Sequence, residues 1–342
     1  MTAELPDIRS FTYSELEAFM LQNGEAKFRA GQIFEWLHRG AVRFDDMTNL
    51  SLNLRNKLKR ICKISGADIA EKFVSKDGTI KYLIRLEDGE CVETVVMHYH
   101  HGVTICISSQ VGCRMMCGFC ASAIGGLVRS LTSGEILGQV LTAQRDIGER
   151  ISNIVMMGIG EPLDNLENVK KFLENVNHPK GLNIGYRHIS ISTCGLPGGI
   201  DEVAQLDIPI NLCISLHAAN DEVRSSMMPI NKKHNIASVI DACKRYQSVT
   251  GRRITFEYAM VRGVNDSEEN ARELTKLLKG MLCHVNVIPV NTVEERSYEK
   301  SGDAVIERFI AVLADGGIAA TKRRELGSDI SASCGQLRKN RM

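Results

Sequence analysis

From residue 103 to residue 323, strand-like runs alternate with helix-like runs, and nothing else in the 342-residue chain restricts its fold as strongly. The pairs are 103–108 then 133–147, 153–158 then 165–176, 187–192 then 199–206, 210–217 then 236–247, 253–261 then 267–278, and 284–290 then 303–314. A last run, 318–323, reads as a seventh strand. Regular βα alternation means parallel strands covered by helices. Six such units either close part-way into a barrel or form an open doubly wound sheet, and periodicity alone does not choose. The strand ends are polar on one face. His188, Ser190 and Ser192 alternate with Ile189 and Ile191, and Asn211, Cys213, Ser215 and His217 alternate with Leu212, Ile214 and Leu216. In a barrel that face points into the lumen, and Ser192, Ser215 and His217 line the mouth at the C-terminal strand ends.

Upstream of the alternation, residues 1–65 read as a small helical accessory domain. The run 14–22 is short and amphipathic, 30–38 places Ile33, Phe34 and Leu37 on one face, and 49–62 alternates Leu with Lys and Arg at helical spacing. Its Lys57, Lys59 and Arg60 either touch a polyanion or form a solvated face. Residues 66–98 read as connecting strands, 79–86 and 91–97, joined by the turn Glu87-Asp88-Gly89. In the second strand Cys91, Glu93, Val95 and Met97 share a face, so Glu93 is either at a wet strand end or a held carboxylate with a task. Residues 99–327 make the βα core, and 328–342 form a C-terminal tail.

A formal charge of +1 neither supports nor excludes a nucleic-acid partner, since a basic patch is easily offset elsewhere. No apolar run is long enough to span a membrane, and the opening MTAELPDIRSFTY lacks the regions of a secretory signal, so a cytoplasmic protein with no membrane partner is expected. The sequon Asn265-Asp266-Ser267 is then a chance match. Eleven cysteines in a reducing compartment argue for metal binding or catalysis before structural disulfides. Three of them stand in Gly112-Cys113-Arg114-Met115-Met116-Cys117-Gly118-Phe119-Cys120, a C-x3-C-x2-C spacing just after the first strand of the βα series. Thiolates on one short loop can hold three irons of a four-iron cluster, leaving the fourth open to a ligand. A structural zinc site wants four ligands, usually as two pairs, which this loop does not supply.

This spacing is the signature of the radical S-adenosylmethionine superfamily, which the segment resembles. The resemblance implies a partial (β/α)6 barrel, one [4Fe-4S] cluster, and S-adenosylmethionine bound through its amino and carboxylate groups to the open iron and cleaved to a 5′-deoxyadenosyl radical. Further stretches narrow the family: Met156-Met157-Gly158-Ile159-Gly160-Glu161-Pro162, Ile191-Ser192-Thr193, Ser215-Leu216-His217, Met228-Pro229-Ile230-Asn231, Gly263-Val264-Asn265-Asp266-Ser267 and Ala332-Ser333-Cys334-Gly335-Gln336-Leu337, together with the run from Cys106 to Cys113. Over nearly the whole chain they resemble the RlmN/Cfr family of RNA adenine methyltransferases. By that resemblance Cys113, Cys117 and Cys120 are cluster ligands. Gly160, Glu161, Ser192, Ser215, Leu216, His217 and Asn291 line S-adenosylmethionine, Cys334 carries the methyl group, Cys106 is its partner cysteine and Glu93 is the proton acceptor.

The implied chemistry follows from an acceptor carbon too electron-poor to attack a methyl sulfonium. One S-adenosylmethionine methylates the Cys334 thiolate, and a second, two per turnover, yields the radical that removes hydrogen from the S-methyl group. The methylene radical adds to adenine. Proton loss and attack by Cys106 on the Cys334 sulfur release the product and leave a disulfide, which thiol exchange resets. Implied partners are 23S rRNA, tRNA and an electron donor such as flavodoxin or ferredoxin. The family holds a carbon-2 and a carbon-8 adenosine activity, and the stretches 160–162 and 288–291 look more like the carbon-2 branch. A radical activase would also carry the cysteine loop but not need Cys106 or Cys334, while a non-catalytic RNA-binding protein would hold zinc there.

Read from the residues alone, Cys106 groups with Thr104 and Ser108 on the polar side of its strand, and Cys334 reads as a mobile, exposed loop thiol in a Ser-rich context. Cys62, Cys91, Cys194, Cys213, Cys243 and Cys283 are assigned to packing. Lys322-Arg323-Arg324 and Arg338-Lys339-Asn340-Arg341 flank Cys334 and either hold phosphates or form a solvated tail. The target base must leave its stack, so a looped or structured single strand is the expected substrate.

Overall fold

A computed structural model describes residues 5–338. Helices α1 (Tyr13–Gln22), α2 (Phe28–His38) and α3 (Leu52–Ile61) come first. Thr12 and Glu15 cap α1 reciprocally and Ser51 accepts from the Leu54 N–H to start α3, satisfying amide groups that a helix start leaves bare. Leu16, Met20, Ile33, Phe34, Leu37, Leu54 and Leu58 close a core separate from that of the barrel. The cationic face expected on α3 is largely engaged at home: Lys57 bonds the Asn23 carbonyl and Glu25, and Lys59 pairs with Asp45. The unit is fastened to the barrel through Ser133 Oγ to the Ser10 carbonyl at 2.7 Å and Asn175 Nδ2 to the Phe11 carbonyl at 2.9 Å.

The chain then forms an antiparallel meander, β1 (Ala67–Val74), β2 (Ile80–Leu86), β3 (Cys91–Tyr99) and β4 (Gly102–Cys106). β1 was not expected. It is an edge strand with most of its side chains exposed, so it lacks the apolar alternation that marks a half-buried strand. A two-stranded ribbon, β5 (Gln110–Gly112) and β6 (Leu127–Ser130), brackets the cysteine loop. Strands β7 (Ile151–Met156), β8 (Ile189–Thr193), β9 (Asn211–Ser215), β10 (Ile254–Met260), β11 (Cys283–Pro289) and β12 (Ala320–Lys322) follow in order. Each pairs parallel with its neighbour, and β4 pairs parallel with β7.

One ten-stranded sheet results, its first and last strands unpaired among the described residues, and its seven parallel strands curve round one cavity lined from β7, β8, β9, β10 and β11, the partial barrel that was expected. Helices α4 (Ser133–Ile147), α5 (Leu166–Asn177), α6 (Pro197–Gln205), α7 (Asp221–Met227), α8 (Ile236–Thr250), α9 (Glu268–Leu278) and α10 (Asp303–Asp315) cover it. Ile105, Ile154, Ile191, Leu212, Ile214, Val285 and Val287 form the packed interface with them, each worth about 1.5–3 kcal/mol when fully buried. α7 was not expected: seven residues in the β9–α8 connection are too few to show a helical period. Lys339, Asn340 and Arg341, read as either phosphate-holding or a solvated tail, lie outside the described residues. Among the described residues no helix is long and apolar enough to cross a membrane.

Candidate functional site

The cysteine loop depends on close backbone approach. Gly112 has φ +76°, and a Cβ there would meet the Gly126 carbonyl oxygen at 1.9 Å, so only glycine lets the loop close on itself. Cys113 N–H bonds Gly126 O at 3.2 Å, and Gly118 N–H bonds Met227 O at 2.8 Å, tying the loop to α7. Cys113, Cys117 and Cys120 line a single cavity of about 920 Å³, open mouth included. Behind them Met115, Cys194, Met227, Met228, Val261 and Val290 form an apolar backing. Burial pushes the Cys113 thiol up to about 12, and Cys117 rises through burial and through its neighbours Cys120 and Cys113. Three cysteines gathered on one wall of a cavity, two of them with thiols pushed up by burial, fit an iron–sulfur cluster, whose iron charge would turn them into thiolates. Among the described residues no three His, Cys, Asp or Glu converge on a point that one ion would share. Cluster cysteines instead take separate irons.

Opposite the loop stands a polar wall. Gly160 has φ +104° and sits so close to Gln110 that a Cβ would lie 2.6 Å from the Gln110 Cβ. Glu161 is buried and accepts the Cys194 N–H at 2.7 Å and the Leu163 N–H at 3.1 Å; burial nevertheless pushes its carboxyl up. From β8, β9 and β10, Ser192 Oγ donates to Glu257 Oε2 at 2.9 Å and Ser215 Oγ reaches the same oxygen at 3.5 Å. Arg323 Nη1 lies 3.2 Å from Glu257 Oε1. His217, just past β9 at φ +61°, accepts the Ala259 N–H on Nδ1 at 2.9 Å. Burial, with Arg224 nearby, holds it down at about 3, so the ring is neutral, with its proton on Nε2. Leu216 is wholly buried and acts through its backbone: its N–H bonds Glu257 O at 3.1 Å and its carbonyl accepts from Arg224.

The C-terminal tail lies across this mouth, which corrects the expectation of a mobile, exposed Cys334. Asn291 Nδ2 bonds the Cys334 carbonyl at 2.9 Å, Ala121 N–H bonds Gly335 O at 2.7 Å and Ser122 Oγ bonds Leu337 O at 2.6 Å. Within the tail, Ser333 Oγ bonds the Leu326 carbonyl at 2.8 Å. Cys334 lines the large cavity and also a second one, of about 570 Å³ with its mouth, which Cys106 lines from the end of β4. Burial and the facing Cys334 push the Cys106 thiol up to about 12. Burial pushes Cys334 up, and the Arg323 guanidinium pulls it back. Cys106 is buried, as are Thr104 and Ser108 with which it was grouped, and it lines this chamber.

Glu93 is a held carboxylate, 2 % exposed. Its Oε1 is 3.1 Å from Lys81 Nζ, and its Oε2 accepts the Arg338 N–H at 2.7 Å. Val95, two residues along the same face of β3, is registered opposite Cys106. Thirteen residues were expected at the site, and ten of them line the large cavity, the exceptions being Leu216, Cys106 and Glu93. The sequence reading passed over Glu257, whose signal is a lone acid in the apolar strand ITFEYAM, and Arg224. Arg224 is fully buried and bonds the Cys194, Leu216 and Ser215 carbonyls and Asn231 Oδ1.

Similarity to known proteins matches this geometry. Residues 6–64 match the family described as ribosomal RNA large subunit methyltransferase N-terminal domain, and residues 107–275 match the radical SAM superfamily. The probable dual-specificity RNA methyltransferase RlmN of Clostridium novyi (strain NT) is 54% identical over 338 residues, 98% of each chain. Its counterpart in Alkaliphilus oremlandii (strain OhILAs) is 55% identical over 337 residues, again 98% of each. The chain belongs to the RlmN family. A crystal structure of a radical SAM methyltransferase from Sphaerobacter thermophilus superposes with a TM-score of 0.93 at 43% identity, covering 97% of this chain and 99% of that one. The cofactors of this family are a [4Fe-4S] cluster and S-adenosylmethionine.

Proposed function

We propose that the protein methylates carbon 2 of adenosine in 23S rRNA and in tRNA, with Cys334 as the methyl carrier, in the cytoplasm. The observation that carries this reading is the position of Cys334, whose residue lines both the cofactor cavity and the chamber of Cys106. Cys113, Cys117 and Cys120 would hold the cluster, and the Gly160-Glu161, Ser192, Ser215–His217 and Asn291 positions would hold S-adenosylmethionine. When bound, these cofactors supply a methyl group and a means of making a carbon radical.

The protein's own residues do the rest. Cys334 takes the methyl group as a thiolate, which Arg323 favours. Asn291 fixes the carbonyl of that same residue, so the sulfur is held at the partition between the two spaces. Glu93 lies on the β3 face of Val95, which is registered opposite Cys106, and it would receive the proton lost from the ring carbon. Attack by Cys106 sulfur on Cys334 sulfur breaks the Cys334 sulfur–carbon bond to the methylated RNA and leaves a disulfide, which a thiol reductant resets by exchange, while an electron donor such as flavodoxin or ferredoxin would supply the electron that radical formation consumes.

The test is nucleoside mass spectrometry after anaerobic reaction of the reduced, cluster-loaded protein with S-adenosylmethionine and unmodified ribosomal RNA or tRNA. 2-Methyladenosine is expected, and it should be absent with Cys334→Ala. 8-Methyladenosine would move the protein to the carbon-8 branch, while cleavage of S-adenosylmethionine without any methylated base would overturn the RNA assignment.

A further inference from the structure

The second chamber has a chemistry of its own. Val95, Met97 and Tyr99 reach it from one face of β3, Cys106 from the end of β4, and Arg324 and Cys334 from the chain after β12. Apolar side chains and the two cysteines share this lining with Asn291, Arg323, Ser333 and Glu325, the last paired with Lys300 at 2.5 Å, while Tyr99 is half-buried and Arg324 exposed. Tyr99 is half-buried where β3 turns into β4, and its ring stacks on that of His101, with centroids 5.1 Å apart and planes 15° from parallel. The basic residues around Cys334 are not equivalent. Lys322 pairs with Asp303 at 2.8 Å, Arg323 with Glu257 at 3.2 Å and Arg338 with Glu295 at 2.7 Å. Arg324 makes neither a hydrogen bond nor an ion pair with any described residue. Burial pushes the Tyr99 phenol up, and the charges of Arg323 and Arg324 pull it part of the way back.

We propose that this chamber receives the acceptor nucleotide of the RNA, with the adenine lying against Tyr99 and its phosphate on Arg324. The proposal rests on the RNA-methylating function argued above and extends it to residues. The acceptor carbon must come within reach of Cys334 and Cys106 together, and theirs is the chamber both residues line. A base drawn out of its stack loses two neighbouring faces, and an aromatic side chain replaces one of them. An unpaired guanidinium at the rim fits a phosphate oxygen pair in a planar fork. Tyr99 and Arg324 are positioning residues under this assignment, since the reacting sulfurs and the base belong to Cys334, Cys106 and Glu93.

The experiment is equilibrium anisotropy with the full-length, cluster-loaded protein under anaerobic conditions. The probes are two labelled RNA hairpins that differ only at the target position, adenosine in one and an abasic ribose in the other, each titrated over a salt series. The wild type should bind the adenosine hairpin more tightly. Tyr99→Ala should lose about tenfold of that preference, while Tyr99→Trp keeps it. Arg324→Gln should weaken both hairpins alike and lower the slope of log K against log salt by about one, with Arg324→Lys close to wild type. Cluster absorbance reports folding, and Tyr99→Leu, which keeps bulk but not the ring, replaces Tyr99→Ala if the latter loses it. An unchanged adenosine preference removes Tyr99, and an unchanged slope removes Arg324. A wild type that binds neither hairpin would overturn the RNA reading itself, whereas a wild type that makes methyladenosine while both variants bind as it does overturns this proposal alone.

Discussion

Glu93 and Lys81 form a buried pair whose balance sets when the carboxylate is available. Burial pushes Glu93 up from its ordinary range, and the Lys81 ammonium, 3.1 Å away, pulls it back. A proton acceptor must be ionised, so methylation limited by this step falls as pH drops through the raised value. Lys81→Met leaves burial less opposed. We expect the acid limb of the single-turnover pH profile to move to higher pH, and Lys81→Arg to keep it near the wild type. A limb that stays put in Lys81→Met would remove Lys81 from this role. The placement of Glu93 was readable, because alternation put it on the face of Val95 and Met97. Cys334 was misread for a physical reason: the serines around it suggested a solvated loop, whereas Ser333 bonds the Leu326 carbonyl and the Cys334 carbonyl is held by Asn291. Arg224 was unreadable, since DEVRSSM has the composition of an exposed helix and its burial comes from strands distant in sequence.

At the scale of elements, the βα series was legible wherever a run was long enough to show its period. β1 and α7 were not, one for lying at a sheet edge and the other for its seven residues. Yet α7 carries much of the mouth. It offers the Met227 carbonyl to the cysteine loop, and its Arg224 joins the ends of β8 and β9 to Asn231, with bonds of 2.6 Å to Cys194 O, 3.1 Å to Leu216 O and 2.7 Å to Asn231 Oδ1. Removing the guanidinium leaves several buried acceptors unpaired. Arg224→Met should lower the unfolding free energy by on the order of 3 kcal/mol, measured by denaturant titration. Arg224→Lys should recover only part of this, because one ammonium cannot serve acceptors spread around a planar fork. A loss within a few tenths of a kcal/mol of zero would show that the strand ends hold without it.

For the whole molecule, acid sensitivity follows from imidazoles kept neutral inside. Burial holds His38 down to about 4, with its ring 4.0 Å from that of Phe34 and with His178 and Arg9 facing it, and it holds His217 down to about 3. In the unfolded chain both return to about 6.5. The unfolded state then binds more protons below that value, so the stability present above pH 6.5 is lost as pH falls toward 4. His38→Gln should flatten the dependence of melting temperature on pH across that window, and parallel curves for variant and wild type would contradict it. β4 gives the molecule a further property. It pairs antiparallel with β3 on one side and parallel with β7 on the other, and Cys106 is its last residue. The sheet is thus spliced from two grammars at a single strand, with the proposed acceptor-handling row written on one side and the cofactor-handling mouth on the other. Cys106 stands at that splice, so the strand that ends the antiparallel part also opens the parallel one, and a change in the tilt of β4 moves the acceptor chamber and the cofactor mouth together.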